Sequence, residues 1–207
     1  MNGRGDEHED VHETVSADPR VIDGHPPVWG NRLLKRFGRW YLDRSGWTVV
    51  NPYPSFARSV MIVAPHSTNW DFIVGISTSW VIDLRPTFVA KHTLFRWPLG
   101  PVMRWLGGIP INRSKSIGFV EKTAAMVDEI GRIALVITPE GTRKNVDRWR
   151  TGFYHIARAT DLPIIPAYID WGERRVGFGD PFWPTGNLEA DIELLRDFYS
   201  GFRGLKQ

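Results

Sequence analysis

Residues 59–65 read Ser-Val-Met-Ile-Val-Ala-Pro, and His66-Ser67-Thr68-Asn69-Trp70-Asp71 follows at once. An apolar run this short, rich in branched side chains and stopped by proline, reads as a buried strand. The pattern then repeats. Helical spacing over roughly 72 to 82 leads into Pro-Thr-Phe-Val-Ala at 86–90, and spacing over roughly 95 to 106 leads into Gly-Ile-Pro-Ile-Asn at 108–112. Two more helical stretches, near 116 to 131 and 150 to 160, flank Ile-Ala-Leu-Val-Ile-Thr-Pro at 133–139. Pro-Ile-Ile-Pro-Ala-Tyr-Ile at 163–169, Arg-Arg-Val-Gly-Phe-Gly at 174–179 and a last helix near 188 to 203 close the series. Strands alternating with helices predict a single α/β domain with a central, largely parallel sheet flanked by helices. The aromatic stretch from Leu94 to Leu106 reads as a core helix of that domain, with a lipid site as the alternative.

In sheets of this kind chemistry gathers where strands hand over to loops at their carboxyl ends. Four strands here are followed by ionisable or polar residues: His66 to Asp71, Lys91-His92, Asn112-Arg113, and Glu140-Gly141-Thr142-Arg143. A histidine is largely neutral near pH 7 and able to take a proton from an attacking hydroxyl. A carboxylate on its other ring nitrogen would fix the tautomer and stabilise the imidazolium, and Asp71 stands where the first turn of the next helix should begin. The same residues also fit a helix-capping aspartate beside a loop histidine. Glu140 to Arg143 fits either a phosphate-gripping turn or a loop stiffened by its own ion pair. Backbone N–H groups between 66 and 71 are candidates for stabilising an oxyanion.

Composition narrows the partners. The 207 residues contain no cysteine, which removes thiol nucleophiles, thiolate metal sites and disulfides together. The first 25 residues hold seven acids against Arg4 and Arg20, so a leader of net charge −5 precedes a body of +8. Residues 1–26 lack apolar periodicity and are expected to be a disordered acidic leader, without the apolar core of a signal peptide. From Trp29 to Tyr41, Trp29, Leu33, Leu34, Phe37, Trp40 and Tyr41 recur at helical spacing opposite Arg32, Lys35, Arg36 and Arg39. Residues 27–46 therefore predict an amphipathic, membrane-associated helix ahead of a domain at 47–207, although the same face is able to pack on the sheet. A basic body with ten Trp and eleven Phe suits an anionic, partly apolar partner, a phospholipid surface rather than nucleic acid. No apolar run approaches the roughly 20 residues of a spanning helix, so a cytoplasmic protein, peripheral on the inner face of the cell membrane, is expected.

The four segments stand in the order and spacing of one family. His66 with Asp71, Gly107-Gly108-Ile109-Pro110-Ile111-Asn112-Arg113, Glu140 to Arg143, and Leu162-Pro163-Ile164-Ile165-Pro166-Ala167 resemble the four blocks of the glycerophospholipid acyltransferases. Gly152-Phe153-Tyr154-His155-Ile156-Ala157 is similar to the helix between the last two. Where the family commonly has Lys-x-Glu-Leu, this chain has Lys91-His92-Thr93-Leu94, and its short length looks like a compact bacterial branch. The resemblance implies transfer of a fatty acyl group from an acyl thioester, on coenzyme A or acyl carrier protein, to a hydroxyl of a lysophospholipid or related phosphorylated glycerolipid.

In that implied scheme His66 is general base and Asp71 orients it, while Arg113, Glu140, Gly141, Thr142 and Arg143 bind the acceptor phosphate. Asn69 and Lys91 are candidate substrate contacts, and no metal or cofactor is implied. The alternatives are a thioesterase or lipid hydrolase using the same base with water, and a non-catalytic membrane-binding module.

Overall fold

A computed structural model describes residues 25–51, 53–111, 118–141 and 149–205. The acidic leader, apart from His25 and Pro26, lies outside the described residues, as do Asn112, Arg113, Thr142 and Arg143. Seven strands form one sheet: β1 (Thr48–Val50), β2 (Arg58–Ala64), β3 (Pro86–Lys91), β4 (Gly108–Ile111), β5 (Ile133–Ile137), β6 (Ile164–Asp170) and β7 (Arg175–Phe178). Their order across the sheet is β1-β7-β6-β2-β5-β3-β4. Every pairing is parallel except β6 with β7, which a short turn joins as neighbours running in opposite directions. The fold is therefore the expected α/β one, and the three-residue β1 is a strand that the sequence pattern left unmarked.

Among the described residues six helices flank the sheet: α1 (Arg32–Arg44), α2 (Trp70–Val81), α3 (Leu99–Trp105), α4 (Phe119–Glu129), α5 (Gly152–Ala159) and α6 (Leu188–Tyr199). Strand alternation sorts the interior into two sides. Val60, Ile62 and Ala64 of β2, with Ile133 and Leu135 of β5, join Phe153, Ile156, Leu195 and Tyr199 from α5 and α6 in one buried cluster. The intervening Met61 and Ala134, with Ile165 and Ala167 of β6, point to the opposite side. That second side is where α2 lies and where the sheet is less completely filled.

α1 begins at Asn31, whose side chain accepts the N–H groups of Leu33 and Leu34 and so satisfies two of the helix's unpaired donors. Its helix packs along α2. Gly38 is buried, and a Cβ there would stand 2.7 Å from the Ser77 carbonyl oxygen. Leu42 joins Trp47, Val74, Ile169 and Val176 in a third apolar cluster. Leu33, Phe37 and Trp40 remain exposed. The helix thus meets the domain on one side and presents aromatic side chains on another.

The expected core helix over 95–106 is corrected. A 3-10 turn at His92–Phe95 precedes α3, and extended backbone at Arg96 separates the two. α3 keeps only one narrow side on the protein, and Trp97 is 87% exposed.

Candidate active site

β2 and β5 are parallel neighbours with Ile62 opposite Ile137, so the chain leaving each strand emerges at the same edge of the sheet. His66 and Glu140 meet there. The backbone N–H of His66 donates to the two carboxyl oxygens of Glu140, at 3.2 and 3.1 Å. This contact fastens the loop after β2 to the loop after β5. Gly141 makes the second loop turn with φ of +64°, a conformation that any other residue adopts only under strain. Its N–H donates to the Thr138 carbonyl, and the Arg150 side chain lies across it.

Asp71 sits in the first turn of α2 and is fully buried. Its Oδ2 accepts the N–H groups of Ser67 and Thr68, both at 2.7 Å. Its Oδ1 accepts the Thr68 hydroxyl at 3.2 Å and the indole N–H of Trp171 at 2.7 Å. The Nδ1 of His66 lies 3.4 Å from Asp71 Oδ2. Four donors therefore hold the carboxylate in place, and the imidazole, with about a fifth of its side chain exposed, faces outward from it. The expected oxyanion role for the N–H groups of the 66–71 loop is corrected for several of them. Those of His66, Ser67, Thr68 and Trp70 are already engaged, the last with the Thr68 hydroxyl.

Glu140, expected from the motif at the acceptor phosphate, accepts the His66 N–H and so positions the loop. Burial raises its pKa from the usual 4.5 to about 7, opposed by the His66 N–H and helped by the charge on Asp71.

Beside His66 lies a cavity of about 970 Å³. Met61, Val63, Ile76, Leu84, Phe88 and Phe178 are among its apolar lining, so it occupies the less filled side of the sheet under α2. Asp71, Asn69, Lys91 and Gly141 also line it. Asn69 and Lys91 are exposed, as expected for groups that meet a substrate at the opening, and Asn69 makes no side-chain cap to α2. The structure thus brings together His66, Asp71, Asn69, Lys91 and Gly141 around one opening.

Two contacts had no signal in the motifs. Trp171 follows β6, a hundred residues beyond Asp71, and is oriented edge-on to Trp47 with ring centroids 4.9 Å apart. The chain near its end also returns to the loop, where the Leu205 N–H donates to the Ser67 hydroxyl at 2.9 Å.

A buried carboxylate holding a histidine at the carboxyl edge of a parallel sheet, over an apolar cavity, is a frame for base chemistry on an apolar substrate. Residues 47–170 match the family model described as Acyltransferase, and the chain belongs to that family. Similar proteins include the 1-acyl-sn-glycerol-3-phosphate acyltransferase of Haemophilus influenzae, 24% identical over 171 residues, 79% of this chain and 67% of that protein. The Escherichia coli protein of the same name is 26% identical over 125 residues, 57% of this chain and 49% of its own length. That of Cocos nucifera is 30% identical over 96 residues, 44% of this chain and 31% of its own. The chain thus spans about half the length of the Escherichia coli relative. The crystal structure of the 1-acyl-sn-glycerophosphate (LPA) acyltransferase PlsC from Thermotoga maritima shares the fold, with a TM-score of 0.53 at 17% identity over 83% of this chain and 80% of that one.

Proposed function

We propose that this chain transfers a fatty acyl group from an acyl thioester to the free hydroxyl of a lysophosphatidate-type acceptor at a membrane surface, in phospholipid biosynthesis. The observation that carries the reading is the His66–Asp71 pair, 3.4 Å apart, at the opening of a 970 Å³ apolar cavity. In this reading Asp71, 3.4 Å from Nδ1, favours the tautomer with its proton on Nδ1, and Nε2 is the atom that takes the proton of the acceptor hydroxyl. The hydroxyl oxygen attacks the thioester carbonyl while Nε2 takes its proton. As the tetrahedral intermediate collapses, the C–S bond breaks and the imidazolium returns that proton to the leaving thiolate. One C–O bond forms, one C–S bond breaks, and the base is regenerated. A positioned general base contributes a factor of roughly 10² to 10⁴.

The cavity suits the acyl chain, since its lining is aliphatic and aromatic and the polar groups gather at the opening. Arg113, Thr142 and Arg143, outside the described residues, are assigned the acceptor phosphate because in the sequence they come after β4 and β5, strands parallel to β3 and β2. Lys91 at the opening adds a cation to either substrate's headgroup. Among the described residues no helix is long and apolar enough to cross a membrane. The proposed site of action is the cytoplasmic face, reached by peripheral contact.

The test is incubation of the purified full chain with lysophosphatidate and a long-chain acyl thioester, in parallel arms on coenzyme A and on acyl carrier protein. Phosphatidate is read by mass spectrometry and released thiol by a colorimetric reagent, to which this cysteine-free chain contributes no background. Phosphatidate that requires both substrates supports the reading. Free fatty acid formed at one rate with or without acceptor would replace it with a thioesterase.

A further inference from the structure

Thirteen large apolar side chains are markedly exposed among the described residues, and eleven of them fall between Val28 and Trp105. They are not scattered. On α3, Leu99, Val102 and Trp105 stand three residues apart and 50 to 57% exposed, which places them in one row along the helix. Gly100 and Leu106 are buried on its protein side, and Met103 reaches the cavity. Trp97, just ahead of the helix, is the most exposed of all. On α1, Leu33, Phe37 and Trp40 form a second row. The segment leading into α1 touches the α3 row, where the rings of Trp29 and Trp105 stand 5.5 Å apart.

Charge says what covers this surface. No acid occurs between Asp83 and Glu121, a stretch that carries Arg85, Lys91, Arg96, Arg104, Arg113 and Lys115. None occurs between Asp23 and Asp43 either, where α1 supplies Arg32, Lys35, Arg36 and Arg39. Apolar rows in two stretches whose own charges are all cationic, with Asp83 at their margin accepting the Gly30 N–H, complement a surface that is anionic outside and apolar beneath. The opening of the cavity lies in the same region, because Trp70, Ile73 and Leu94 both line it and are exposed.

We infer that the row on α3, with Trp97, docks into the interface of an anionic phospholipid bilayer and sets the cavity opening against the lipid, with α1 as its neighbour. This deepens the acyl-transfer reading and rests on it for its purpose, since a lipid chain then passes between bilayer and cavity without crossing water. The anchor is α3 rather than α1 alone, because α1 gives its Gly38 side to α2, whereas Trp97, Leu99 and Val102 stand half or more exposed and, among the described residues, only Trp105 of the α3 row meets another ring, that of Trp29.

Flotation of the full chain on vesicles tests it without any assay of activity, so failure of the docking and failure of the chemistry are separable. Wild type should float with phosphatidylglycerol–phosphatidylcholine vesicles and much less with phosphatidylcholine alone. Leu99→Glu combined with Val102→Glu should weaken partition by about tenfold or more, since two carboxylates replace the apolar row at an anionic surface. Leu194→Glu, equally exposed but on α6, should float like wild type. A second measurement stands even where the double variant folds poorly. Trp97→Cys introduces the chain's sole thiol, and an environment-sensitive dye there should shift to the blue on adding anionic vesicles while the same dye on Leu194→Cys does not. Undiminished flotation of a folded double variant, an unshifted dye at 97, or a change in oligomeric state with vesicle binding intact would each overturn the inference.

Discussion

The indole N–H of Trp171 donates to Oδ1 of Asp71 at 2.7 Å, joining the end of β6 to the carboxylate beside His66. Trp171→Phe removes this donor but keeps an aromatic ring beside Trp47. Asp71 retains its three other donors, so the loss should be moderate. About a tenfold fall in kcat is expected, from the lower end of the range for hydrogen bonds to charged groups, with KM little changed and Tm lowered by a few degrees. Steady-state kinetics on the folded variant decide it: an unchanged kcat would mean that Trp171 only fills space.

For the pair itself, His66→Ala should lower kcat by roughly 10² to 10⁴ with little change in melting, because the ring is partly exposed and its removal leaves Asp71 its four donors. Asp71→Asn should lower both. An amide in that place presents N–H groups to the N–H donors of Ser67 and Thr68, so some of the buried donors lose their acceptor at about 1 to 3 kcal/mol each. Calorimetry beside single-turnover kinetics separates the two effects. A folded His66→Ala protein with more than about a tenth of wild-type activity would end the general-base mechanism.

Glu140 makes stability depend on pH with a definite sign. Its folded pKa is about 7 against an ordinary value of 4.5, so across that window the native state binds more protons than the unfolded chain. The contribution of this group is therefore greatest below about 4.5 and is lost as pH rises through about 7. Glu140→Gln keeps an oxygen to accept the His66 N–H and cannot ionise. Relative to wild type it should melt higher at pH 8 than at pH 5, by on the order of 1 kcal/mol after allowing for solvent around a half-buried group, about 2 to 4 °C. An equal difference in Tm at both pH values would show that the carboxyl titrates as if exposed.

The seating of α1 on α2 depends on Gly38. A β-branched side chain there meets the Ser77 backbone and the Trp80 and Val81 side chains, all nearer than packed atoms approach. Gly38→Val should cost about 1 to 3 kcal/mol, as overpacking does. Thermal melting reads it, and deletion of residues 27–44 should fail to give a stable protein for the same reason. A Gly38→Val protein that melts with wild type would mean that α1 rests on the domain without being held by it.

Much of this was legible along the chain. The runs at 59–65, 86–90, 108–112, 133–139, 163–169 and 174–179 each became a strand, because a short apolar run closed by proline, glycine or a polar turn has one way to bury itself. The placing of His66 and Glu140 just beyond strand ends was legible for the same reason, while Lys91, expected beyond β3, is its last residue. α3 misled because aromatic spacing marks a helix with one apolar side and is silent about what that side meets.

The succession of β2 to β7 along the chain, the α/β class and the first-turn position of Asp71 were thus determined by the sequence alone, through local periodicity and turn chemistry. Tertiary structure decided that β5 and β6 flank β2, and hence that Glu140 reaches the His66 N–H and Trp171 reaches Asp71. It also decided which apolar rows are covered: α1 shares its Gly38 side with α2, while the outer row of α3 stays exposed. Periodicity is a property of neighbours in the chain, but hydrogen-bond partners and burial belong to neighbours in space, and those exist only once the sheet has closed its order.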